Sequence, residues 1–92
     1  MGRGFSFADE ALANLAVYGV TPAEVWKALS GTRRVIRHLG DDLTVVYAAT
    51  RRGRRLAVLV AEAVDGWDVL SARDLSDGEA KRYEEAITGW GR

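Results

Sequence analysis

Three stretches rich in β-formers, joined by connections too short for a crossover, fill the middle of this sequence and limit the folds open to it. Residues 43–50, 55–64 and 67–72 are separated only by Arg51-Arg52-Gly53-Arg54 and by Asp65-Gly66. Parallel neighbours need a connection of a dozen or more residues, so these segments must pair as antiparallel hairpins. Gly53 supplies the positive φ that a tight turn needs, and Asp-Gly is a strong hairpin signal. Residues 35–39, followed by the turn Gly40-Asp41-Asp42, read as one more strand ahead of them. Segment 55–64 is nearly all apolar, which predicts a central strand covered on both faces.

Helical spacing flanks this meander. Phe5-Ser6-Phe7 reads as a short first strand, and Ser6 with Asp9 as a weak capping box opening a helix. Ala8, Ala11, Leu12, Leu15 and Ala16 then recur at helical intervals until Gly19. Thr21-Pro22-Ala23-Glu24 opens a second helix, with Thr at the N-cap, Pro at N1 and Glu at N3. Val20 and Val25 occupy the staple positions, Val25, Trp26, Ala28 and Leu29 form the apolar side, and Gly31 stops the helix. Ser76-Asp77-Gly78-Glu79 is a further capping box. The last helix buries Ala80, Tyr83 and Ile87, turns Lys81, Glu84 and Glu85 to water, and ends at Gly89. The expected fold is therefore α+β, with two N-terminal helices, a mostly antiparallel four-stranded sheet and a C-terminal helix. The short N-terminal strand is an optional fifth.

At 92 residues the chain has room for one domain, spanning 1–92. There are no cysteines, which removes disulfides and thiolate metal sites. The longest apolar run, 56–61, is too short to cross a bilayer, and no secretory leader is apparent after Met1, so a cytoplasmic protein is expected. A solitary His38 cannot build a usual metal site, and no phosphate-loop or dinucleotide fingerprint is present, so no cofactor is expected.

The formal net charge is zero, but it is unevenly spread. Between Gly31 and Arg55 lie seven arginines and two acids, a net +5, which leaves −5 for the remainder. Arginine offers a planar, permanent charge that suits phosphate. A basic stripe is also the footprint of nucleic-acid binding. Arg34, Arg37, Arg51, Arg52, Arg54 and Arg55 are therefore candidate RNA contacts, although turns and exposed strand faces attract arginine for structural reasons too.

Three stretches together resemble the BrnT-type toxins of type II toxin–antitoxin pairs, within the broader RelE/ParE-like group. The first is the aromatic pair, the helix containing Asn14, and Gly19-Val20 before a second helix. The second is the arginine-rich hairpin feeding an apolar strand. The third is Leu70-Ser71-Ala72-Arg73 followed by Glu79, Arg82 and Tyr83. The resemblance implies a RelE-like fold and a small ribonuclease that stops translation. It also implies a cognate antitoxin, commonly a ribbon-helix-helix protein, in a heterotetramer, with a homodimer of the free chain as an alternative. The chain departs from the family where a basic Lys-His pair precedes the second helix; here the residues are Val17-Tyr18-Gly19. That departure keeps open a non-enzymatic reading, either a ParE-like gyrase inhibitor or a remnant that only binds its antitoxin.

Cleavage through the 2′-hydroxyl needs a base, an acid and positive charge at the phosphate. Arg73, at the end of the last strand, is the first candidate for the phosphate, with a salt bridge to Glu79 or Asp74 as the structural alternative. Strand alternation would put it on one face with Trp67, Val69 and Ser71. Glu79 and Tyr83, further catalytic candidates with capping and core packing as their structural alternatives, share one side of the last helix. Arg82, one position off it, is a candidate RNA contact that could instead pair with Glu85. His38 has an intrinsic pKa suited to proton transfer and alternates with Arg34 and Ile36. Trp26 and Trp67 are expected in the core, and Trp90 beyond the last helix as a stacking or anchoring group.

Overall fold

The computed structural model describes residues 4–31, 33–50, 53–64 and 66–90. The order is β1(Gly4–Phe7), α1(Asp9–Val17), α2(Pro22–Ser30), β2(Arg34–His38), β3(Leu43–Ala49), β4(Arg55–Ala63), β5(Gly66–Asp74) and α3(Asp77–Trp90). Five strands form one sheet in the order β1-β5-β4-β3-β2. The meander β2 to β5 is antiparallel throughout, as the short connections require. The optional first strand is a true member, pairing parallel to β5 through Phe5↔Trp67 and Phe7↔Val69.

Helices α1 and α2 lie on one face. Leu15, Val20, Val25, Ala28 and Leu29 close over Val46, Ala48, Leu56, Val58 and Val60, with Trp67, Val69 and Ala72 beside them. Burying each large aliphatic side chain here contributes about 1.5–3 kcal/mol. The α1–α2 turn is a Schellman closure: Gly19 (φ 64°) donates to Ala16, and Val20 donates to Leu15. The α2 capping box forms as expected, Glu24 N to Thr21 Oγ1 at 3.1 Å and Thr21 N to Glu24 Oε1 at 3.0 Å. Gly53 (φ 86°) makes the β3–β4 turn, closed by Thr50 and Arg54.

The structure corrects several expectations. Ser6 does not cap α1, because β1 takes it into register with Asp68; the N-cap is Ala8, without a side-chain bond. Helix α3 runs through Gly89 to Trp90. Glycine disfavours a helix interior by only about 1 kcal/mol. Strand β4 is enclosed on both faces only at Leu56, Ala57 and Val58, and its far end is open, with Val64 fully exposed. Trp26 is 54% exposed rather than core. Glu84 is half-exposed and, besides facing water, pairs with Arg55.

The alternation along β5 is also broken. Leu59 pairs with Ser71, but Val60 pairs with Val69, so Leu70 is an extra residue. This bulge shifts the phase by one. Trp67, Val69 and Ala72 face the core, whereas Arg73 lies in a row with Ala57, Tyr47 and Val35 on the opposite face. The Leu70 carbonyl accepts from Asn14 Nδ2 at 3.3 Å, which ties α1 to the bulge.

Candidate functional site

Arg73 and Glu79 meet where β5 passes into α3. Arg73 grips Glu79 with both guanidinium nitrogens, Nη1–Oε1 at 2.6 Å and Nη2–Oε2 at 2.9 Å, and Nη1 also donates to the Asp74 carbonyl. Glu79 closes the α3 capping box as well, accepting from Ser76 N at 2.9 Å while its own N–H donates to Ser76 Oγ. The Arg73 guanidinium and then the Ser76 amide hold the Glu79 carboxyl down to about 2. A carboxylate that acidic is a poor general base. The same contact raises the Arg73 pKa. Tyr83 is buried, its hydroxyl donates to the Arg33 carbonyl at 2.9 Å, and burial pushes its pKa up. The phenol is thus engaged in joining α3 to the start of β2.

Arg54 does architectural work that the sequence did not reveal. Its Nε and Nη2 hold Asp74 at 2.8 and 3.1 Å. The guanidinium also donates to the Gly19 and Tyr18 carbonyls at 2.8 and 2.7 Å. One side chain thereby ties the α1–α2 turn to β4 and β5. This pairing raises the Arg54 pKa and lowers that of Asp74. Arg55 forms an ion pair with Glu84 on α3.

The other candidates are dispersed. Arg34 Nη1 donates to the Leu29 carbonyl at the end of α2, at 2.8 Å. His38 Nδ1 shares a hydrogen bond of 3.0 Å with the buried hydroxyl of Thr44. Four residues of strand, about 13 Å, part His38 from Arg34, so they do not form a pair. His38 pairs in register with Thr44 and Arg34 with Ala48, which puts both on the α1/α2 face, opposite Arg73. Arg37 and Arg82 are exposed and form no ion pair among the described residues. Arg51, Arg52 and the Trp90 side chain lie outside the described residues. The structure therefore joins Arg73 to Glu79, and separates both from His38.

Two hollows flank Lys27 between α2 and the β3–β4 turn. The first, of about 600 Å³, is lined by Trp26, Lys27, Ser30, Arg33 and Thr50. The second contains Glu24 and Arg54. Trp26 meets Phe5 edge to face, with ring centroids 6.3 Å apart. The helical period did carry a sign of this. Val25, Ala28 and Leu29 complete the buried stripe, and Trp26 falls outside it, one turn before Ser30. Among the described residues no three His, Cys, Asp or Glu side chains gather as a metal site, and no helix is long and apolar enough to cross a membrane. The chain matches no protein-family model and no curated protein.

Proposed function

We propose that this chain is a BrnT-type toxin of RelE-like fold, one half of a type II toxin–antitoxin pair that acts on RNA in the cytoplasm and is neutralised by a cognate antitoxin. The observation that carries this reading is the β5–α3 junction. Leu70 to Arg73 and Glu79, in the stretch that resembles the family, are joined by the Arg73–Glu79 pair at the end of a meander preceded by two helices, with Tyr83 one helical turn further on. Metal-independent cleavage is the activity this resemblance implies.

One observation favours a second reading, a non-enzymatic module that works by binding protein. Arg73 and Glu79 are locked on each other, Tyr83 is locked on backbone, and His38 faces the other side of the sheet. No described group of side chains brings a base, an acid and a free cation to one point. Inducing the chain in bacteria, with and without the neighbouring reading frame, separates the two. Growth arrest with rapid loss of total RNA, relieved by the neighbour, is the expected result. Arrest with intact RNA and DNA-damage signalling would replace it with gyrase inhibition, and no arrest at all with a binding-only remnant.

A further inference from the structure

We propose that the hollow between α2 and the start of β2 is a single-stranded RNA subsite, in which a base stacks on Trp26 and the adjoining phosphates are held by Lys27 and Arg33. This rests on the reading that the chain acts on RNA, and gives that reading a location away from Arg73.

Three observations converge on it. First, an indole 54% exposed is left at the rim, and its edge-to-face contact with Phe5 restricts its rotation. A fixed, exposed π-surface is what an unpaired base needs, and stacking of this kind is tolerant of sequence. A duplex would hide its base faces, so the ligand must be single-stranded. Second, Lys27 and Arg33 line the same hollow, are exposed, and form no ion pair among the described residues. Arg54, Arg55 and Arg73 are all committed to carboxylates. Among the described residues no carboxylate lines this hollow, whereas Glu24 enters the neighbouring one. Third, the carbonyl end of α2 would place partial negative charge beside a bound phosphate. Arg34 offsets it by donating to the Leu29 carbonyl at 2.8 Å. The volume, about 600 Å³, falls in the roughly 300–1,000 Å³ range of small-ligand sites, enough for a nucleotide-sized unit.

The test is fluorescence anisotropy with a labelled 2′-O-methyl RNA ten-mer, which cleavage through the 2′-hydroxyl cannot destroy, titrated with the full chain over a range of salt. Trp26→Ala is expected to weaken binding roughly five- to hundredfold, and Trp26→Phe to restore most of it. The double variant Lys27→Ala/Arg33→Ala is expected to lower the slope of log K against log salt by about 1.4, two phosphate contacts on a single strand. Lys81→Ala, an exposed cation on α3, should change neither. Because the Lys27 and Arg33 side chains form no ion pair among the described residues, and the Tyr83 bond to Arg33 uses the backbone carbonyl, the double variant decides the matter even if Trp26→Ala misfolds. Wild-type affinity in both sets of variants would overturn this site and leave the RNA reading standing; absence of RNA binding by the wild type would remove both. A Trp26→Ala chain that keeps its RNA affinity but no longer retains the co-expressed neighbouring gene product would make the hollow a protein-docking surface and overturn the proposal.

Discussion

The margin where β5 meets α3 and the hollow beside α2 both carry cationic side chains, yet they use them in opposite ways. At the margin three guanidinium groups have acceptors: Arg54 holds Asp74 and two carbonyls, Arg73 holds Glu79, and Arg55 holds Glu84. Beside α2, Lys27 and Arg33 face solvent, and no carboxylate among the described residues lines the same hollow. Charge density along the sequence does not distinguish these uses. What separates them is whether the fold delivers an acceptor to the charged end, and that is a tertiary fact. Architectural arginines should reveal themselves by stability, and ligand-facing cations by affinity.

The sharpest way to break the contrast is Arg54→Ala. It removes hydrogen bonds to two carbonyls and a paired carboxylate, and should cost about 2–3 kcal/mol, or roughly 10 °C in Tm by thermal denaturation. An unchanged Tm would mean the α1–α2 turn holds itself. Acid is the next lever. Glu79 has its pKa depressed in the fold from 4.5 to about 2, and Asp74 is also lowered. Their contribution is therefore present above the ordinary carboxylate range and is lost as pH falls through the folded values. Tm should be flat above about pH 5 and decline between about 4.5 and 2, more steeply than in Arg73→Ala, which itself should cost about 1 kcal/mol at neutral pH. Parallel pH profiles would show that the Arg73–Glu79 contact is not what acid disrupts. The smallest effect is expected from Lys27→Ala/Arg33→Ala, within about 0.5 kcal/mol of wild type. A larger loss would move those cations into the architectural class.

Much of the scaffold was legible because it rests on local rules. The Thr21 and Ser76 boxes, the turn at Gly53 and the forced antiparallel pairing all depend on residues close together in the chain. The candidate site was less legible, for three physical reasons. Ser6 had two local roles open to it, cap and strand, and only the presence of β5 alongside decided between them. Trp26 reads as part of the apolar side of α2 next to Val25, although the stripe of Val25, Ala28 and Leu29 is complete without it. Arg54 reaches backbone 35 and 36 residues away and a carboxylate 20 residues away, contacts that no periodicity encodes.

The unpaired residue at position 70 sets the parity of everything after it in β5. With Leu70 in place, Arg73 emerges on the side of the sheet where Glu79 waits, while Ala72 fills the hydrophobic interior. Were Leu70 paired in register instead of bulged out, a methyl group and a guanidinium would exchange sides, and a permanent charge would be driven under α1. A homologous chain one residue shorter there would thus keep both side chains on their present sides and lose only the bulge. The side-chain amide of Asn14 donates to the carbonyl of that surplus residue, so a helix from the other end of the chain helps hold it out of register.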